Sequence, residues 1–154
     1  MNKIFVIILL AIPVVSSAGV FPASNGIALK GVTEFDASAR VMATVGVGEV
    51  IDRSSFQTTL NDAFVLGLRR DGVGVSPTAP NYLECNVQIG GNGPGTIVYS
   101  YLVQFYDYDI EGLNTLLWSH GGMSTVGSNN LTAKDVAQAC VDVFASAWLE
   151  QNPK

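Results

Sequence analysis

The sequence predicts an α+β fold, an antiparallel sheet of about five strands with two amphipathic helices packed on one face. Three observations lead there. Two segments, 52–72 and 131–152, carry apolar residues at the three- and four-residue spacing of a helix. Between them lie runs with the period-two alternation of half-buried strands. Those runs are separated by short turn sequences, which gives a meander rather than a string of crossovers.

The chain opens on MNKIFVIILLAIPVVSSAG, with one early charge at Lys3, an apolar run from Ile4 to Ile12, and small residues at Ser16, Ser17 and Ala18. That is the order of parts in a secretory signal peptide, expected over residues 1–18. A transmembrane anchor is the other reading, but the run is short for a bilayer and no second spanning stretch follows. No cysteine follows the cleavage region to carry a lipid. The expectation is a single α+β domain over 19–154, exported to the periplasm or secreted, with no stable membrane insertion after cleavage. Without the leader, seven basic residues face thirteen acidic ones, a net charge near −6. Such a surface does not neutralise phosphates, so nucleic acid is not an expected partner.

After a lead-in, IALKGVTEF reads as a short edge strand. ARVMATVGVGEVID reads as a strand whose Gly46 and Gly48 suggest a bulge. In the first helix Phe56, Leu60, Phe64 and Leu68 form a stripe completed by Ala63 and Gly67. Asp52 or Ser54 can cap its start, Arg69 and Arg70 suit its negative end, and Gly72 suits its stop. A short strand and a Pro-containing connector then lead to a longer strand from about Tyr82. GGNGPG (90–95) reads as a hairpin loop, because it lacks the lysine of a P-loop and the third glycine and helix of a dinucleotide site. TIVYSYLVQFYDYD places Ile97, Tyr99, Tyr101, Val103 and Phe105 on one face, and TLLWSHGGMSTV returns beside it. In the last helix Val136, Cys140, Val143, Phe144 and Ala147 form the stripe, with Thr132 and Asp135 at capping-box spacing. Asn130-Leu131-Thr132 is also a formal glycosylation sequon.

Cys85 and Cys140 are the only cysteines. One alternates with Leu83, Val87 and Ile89, and the other sits in the last helical stripe, so both point at one core. In an exported chain this predicts a disulfide, with two buried free thiols as the alternative.

The acidic stretch YDYDIEGLNTLLWSH (106–120) is the sharpest candidate site. Asp107, Asp109, Glu111 and Gly112 match the opening of a calcium loop, but the twelfth position is Trp118 where a bidentate Glu is required. The turn of a β-hairpin explains the acids more simply. His120 is the single histidine, no G-x-S-x-G elbow accompanies it, and it is read as a surface residue at a strand end. No catalytic residue, metal ligand or cofactor is expected. Tyr99, Tyr101, Phe105, Tyr106, Tyr108 and Trp118 cluster on one hairpin. Those that face away from the helices would form a contact patch, so Tyr99, Tyr101, Tyr106, Tyr108 and Trp118 are the candidate binding residues.

LNDAFVLGLRRDGVGV, YLECNVQI, YSYLVQFYDYD and LLWSHGG together resemble a pattern in small bacterial envelope proteins. These are the curli-secretion-like accessory proteins of the outer membrane and the N-terminal domain of the Tol system's propeller protein. There a helix ending in L-R-x-x-G precedes an alternating strand and a strand pair whose second member bears a tryptophan. The resemblance covers roughly residues 53–122 and part of the last helix, and departs from the lipoprotein members in lacking a lipid-bearing cysteine. It implies a non-catalytic periplasmic protein whose partner is another protein or an envelope component. A small secreted hydrolase using carboxylates around 107–111, and a secreted enzyme inhibitor, are the competing functions.

Overall fold

In the computed structural model, which describes residues 26–46, 51–91, 95–108 and 114–153, the strand and helix periods of the sequence become two layers. A 3-10 turn at Ile27–Leu29 is followed by β1 (Glu34–Val45), α1 (Arg53–Arg70), β2 (Gly74–Val75), β3 (Asn81–Gly91), β4 (Thr96–Tyr108), β5 (Asn114–Gly127) and α2 (Ala133–Gln151). The leader at 1–18 and most of the acidic turn lie outside the described residues.

The five strands lie in the order β2-β1-β3-β4-β5. β3, β4 and β5 form the expected antiparallel meander, whereas β1 runs parallel to both β2 and β3, so the sheet is mixed. The parallel pairing follows from connectivity. α1 carries the chain back across the sheet between β1 and the next strands, the crossover that parallel neighbours need. The expected edge strand at 27–35 is instead a 3-10 turn running into β1, and the edge is the two-residue β2. The irregularity in β1 falls between Val41 and Ala43, not at the glycines. Gly46 takes a positive φ of 70° past the strand end, and Gly48 is outside the described residues.

Both helices begin where their caps predict. The Asp52 carboxylate accepts from the backbone N–H groups of Ser54 and Ser55, and the Thr132 hydroxyl accepts from that of Asp135. Leu60, Phe64, Gly67 and Leu68 of α1 are buried, and Phe56 is half-buried. Val136, Cys140 and Phe144 of α2 are buried as expected, joined by Val141, Ala145 and Trp148, while Val143 and Ala147 are half-buried. The α2 stripe is therefore wider than its four-residue rows suggest, because α2 packs on the sheet and on α1 at once.

Between the layers, Phe35 meets Phe105 and Phe144 edge-on at 5.5 and 5.2 Å, and Trp118 meets Phe144 at 5.8 Å. Leu83, Cys85, Val87 and Ile89 all face this core. Cys85 and Cys140 form a disulfide that ties β3 to α2 with their Cα atoms 6.3 Å apart. At the far end of α2, the Trp148 indole donates to the Val32 carbonyl at 2.7 Å, and Asn152 holds Leu29 and Gly31.

The helices meet at Gly67, where an added Cβ would fall 2.7 Å from Cγ2 of Val141. Gly67→Ala is expected to lower stability by about 1–3 kcal/mol through overpacking. Adding Val141→Ala should return part of that loss in urea unfolding, whereas simple additivity would show that the contact is not the cause. The disulfide closes a span of 55 residues, and replacing both cysteines by alanine is expected to cost roughly 4 kcal/mol in thermal or urea unfolding. Intact mass after thiol blocking, with and without reductant, checks the bond itself.

Candidate functional site

Strand alternation sends one set of side chains to the helices and the other to a face that no described element covers. Across that open face the register aligns Asp36, Tyr82 and Tyr106 in one row, then Ser38, Glu84 and Gln104, then Arg40, Asn86 and Leu102. Gln88 pairs with Ser100, and Ser100 with Met123.

The middle of this face is a connected polar network. Arg40 forms an ion pair with Glu84, and its guanidinium donates to the Tyr82 hydroxyl at 2.8 Å. That hydroxyl lies 2.7 Å from the Ser38 hydroxyl and donates to Glu84 at 3.3 Å. Asn86 donates from one amide nitrogen to Glu84 at 2.9 Å and to Gln104 at 3.1 Å. Glu84 is only 8% exposed, so its charge is held by these donors rather than by water. Burial works against the Arg40 charge, but the Tyr82 hydrogen bond and the Glu84 carboxylate outweigh it, and its pKa lies above the usual value. Burial, then the charges of Glu84 and Tyr82, push the Tyr106 phenol up as well. The Asn86 side-chain oxygen is buried and has no partner among the described residues.

Beside the network lies a shallow groove of about 420 Å³ lined by Met42, Asn86, Gln88, Ser100, Tyr101, Leu102 and Gln104. Met42, Leu102 and Met123 are 53%, 41% and 75% exposed on this face. Flexible apolar side chains around a fixed hydrogen-bonding strip suit recognition of a surface. Among the described residues no group of three His, Cys, Asp or Glu is placed to hold a metal ion.

The aromatic residues singled out in the sequence divide between the two faces. Tyr99 and Trp118 are buried on the helix side, so they take no part in the open face. Tyr101 also faces the helices, its hydroxyl lying over Gly122, where an added Cβ would come within 2.7 Å of it. Burial first, then Tyr99 and Asp142, raise the Tyr101 pKa above 10.0. Tyr106 is on the open face, its ring 6.3 Å from that of Tyr82. Tyr108 ends β4, and its side chain is outside the described residues. The parity of β4 carries this division: Tyr99 and Tyr101 share the face of the core residues Ile97 and Val103. Sequence reasoning passed over Arg40, Tyr82, Glu84, Asn86 and Gln104. Their signal was the complementary parity of Tyr82, Glu84, Asn86 and Gln88 opposite Leu83, Cys85 and Val87.

Asp107 is exposed, opposite Asn81, while Asp109, Glu111 and Gly112 are outside the described residues. His120 is exposed but sits mid-strand rather than at a strand end, because β5 continues to Gly127. It lies opposite Val103 with its ring stacked 6.3 Å from Trp118.

No protein-family model and no curated protein matches the chain. Among solved structures it is similar to a dodecamer of a PelC point variant from Paraburkholderia phytofirmans, at 16% identity and a TM-score of 0.47, over 73% of this chain and 86% of that one. It is also similar to a minor lipoprotein from Acinetobacter baumannii, at 10% identity and a TM-score of 0.37, over 75% and 94% of the two chains. These likenesses are too slight in identity and score to lend residue roles.

Removing Arg40 leaves the Glu84 carboxylate buried with neutral donors alone. Arg40→Ala is expected to cost about 1–3 kcal/mol in urea unfolding, and Arg40→Ala with Glu84→Gln to cost less than the single change. Equal losses in the two variants would show that the ion pair is not coupled to stability.

Proposed function

We propose that this chain is an exported, non-catalytic binding or assembly-accessory module of the bacterial cell envelope, engaging another protein or an envelope component. The observation that carries the reading is the uncovered sheet face, where exposed Met42, Leu102 and Met123 surround the Arg40–Glu84 network. A network whose members hold one another in place presents fixed donors and acceptors, and the methionines adapt to a partner's relief. A disulfide in the core fits an oxidising compartment, and the leader-like start supports export. No helix among the described residues is long and apolar enough to cross a membrane.

The reading is tested by placing a photoreactive residue at Met42 or Leu102 on the open face, and at Leu66, which is 69% exposed on α1. Irradiation in the native compartment is expected to give discrete adducts from 42 and 102 and none from 66. Equal adducts from all three positions would count against it. Substituting Asp107 and Asp109 by Asn and Glu111 by Gln is expected to leave the adducts unchanged. A hydrolytic activity lost in that variant, with folding intact, would favour the enzyme instead.

A further inference from the structure

The two edges of the sheet are treated differently. On the β1 side, β2 pairs with Glu34 and Phe35, and α1 takes over where β2 ends. Gln57 accepts from Val41 N–H at 2.6 Å and donates to Ala39 C=O at 2.7 Å. Asn61 accepts from Ala39 N–H at 3.0 Å, and Arg53 donates to Val41 C=O at 2.9 Å. That edge is closed to further pairing. At the other edge, β5 pairs with β4 alone among the described residues. It runs for 14 residues with no proline and with His120 as its single ionisable side chain. Natural edges are ordinarily blunted by charge, proline or brevity. From Ser119 onward this one has none of these, and its one break in register lies before Trp118, opposite Phe105 and Tyr106.

Alongside β5 lies a groove of about 400 Å³, walled by Trp118 and His120 on the strand and by Asp142, Val143, Ser146 and Glu150 on α2. Asp142, Ser146 and Glu150 recur every fourth residue, so they share one face of the helix. No lysine or arginine lines the groove. Trp118 is 1% exposed, and its indole N–H is buried without an acceptor among the described residues. The acid-rimmed groove beside an unpaired strand points to an occupant that brings positive charge. At mid-strand, Gly121 and Gly122 project no side chains of their own, and the space above them is filled by Tyr101 and Leu102 of β4.

We propose that β5, between Ser119 and Val126, takes an extended segment of a partner protein that alternates basic with apolar residues. On the added strand, alternate side chains fall on opposite faces. Basic ones enter the groove against Asp142 and Glu150, and apolar ones lie on the other face beside Met123, which is 75% exposed. A second copy of this chain is a poorer occupant. Antiparallel pairing of two β5 strands puts both α2 helices on the same side of the joined sheet, and each acidic row then meets its own copy. The inference rests on reading the chain as a binding module, but uses a different surface from the open face.

The test titrates the intact protein with a short peptide alternating lysine and valine, beside one alternating glutamate and valine. Affinity is read by calorimetry and location by backbone amide shifts. Binding of the lysine peptide alone is expected, weakened by salt, with shifts concentrated at residues 119–126. Asp142→Lys with Glu150→Lys, both exposed on α2, should weaken it roughly tenfold or more while the melting curve stays native. No binding at millimolar peptide, equal binding of the glutamate peptide, or shifts elsewhere would overturn the proposal. So would concentration-dependent self-association that protects the β5 amides, which would assign the edge to a second copy. Adducts from Met42 and Leu102 that persist while the peptides fail would leave the binding-module reading standing without this partner.

Discussion

The close approach of α1 and α2, which Gly67 permits against Val141, sets the width of the layer covering the sheet. Paired helix axes lie about 8–10 Å apart, and neighbouring strands about 4.8 Å. Five strands span about 19 Å between their outer axes, at the limit of what two tightly paired helices, each about 10 Å across, can cover. α1 lies over the β1 side, and α2 crosses toward β4 and β5, where Phe144 meets Trp118. The strand left at the margin is β5, and the groove between it and α2 is the shortfall in that cover. A third helix or a wider helix spacing would remove it.

The same one-sided cover decides what the other face must do. Apolar residues of alternating parity are committed to the core, so the remaining positions of β1, β3 and β4 stay beside water. There Arg40, Tyr82, Glu84, Asn86 and Gln104 bond one another across strands, with the Asn86 side-chain oxygen left over among the described residues. A carboxylate as sheltered as Glu84 contributes little net stability even when paired, because desolvation offsets the attraction. Its physical effect is to hold rings and amides in one arrangement. That gives a surface with a defined pattern of donors and acceptors, ringed by methionines and a leucine that can adjust.

Both helices, their caps and the disulfide were legible because each depends on local spacing: the α1 stripe from Phe56 to Leu68, Asp52 and Thr132 at the starts, and two cysteines each placed on an apolar face. The β3–β5 meander was legible for the same reason, since its strands follow one another closely. The parallel insertion of β1 between β2 and β3 was not, because it is decided by the path of the α1 crossover rather than by any residue in β1. The polar network was equally hidden. Arg40 and Glu84 are 44 positions apart, and neither has a local signature that names the other. Trp118 and Tyr99 stood out as binding candidates because they are aromatic and close together in sequence, but parity sends both inward. His120 was expected at a strand end, with two glycines after it. Paired to β4, they instead continue the strand, and Gly122 makes room for Tyr101.

The contrast between the two sheet edges follows from sequence choices on α1 that packing alone does not require. Gln57, Asn61 and Arg53 use their side chains to bond β1 backbone groups that water would otherwise solvate. The corresponding positions of α2 toward β5 are Asp142, Ser146 and Glu150. A carboxylate accepts hydrogen bonds but donates none. Asp142 and Glu150 can answer backbone N–H groups of β5 but not its carbonyls, and the short Ser146 hydroxyl is the one donor of the three, whereas at the other edge an amide both donates and accepts. What they add is negative charge beside an unpaired backbone. An edge sealed on one side of a sheet and left open under an acidic wall on the other has a chemical preference: an incoming strand whose backbone completes the ladder and whose side chains bring the opposite charge.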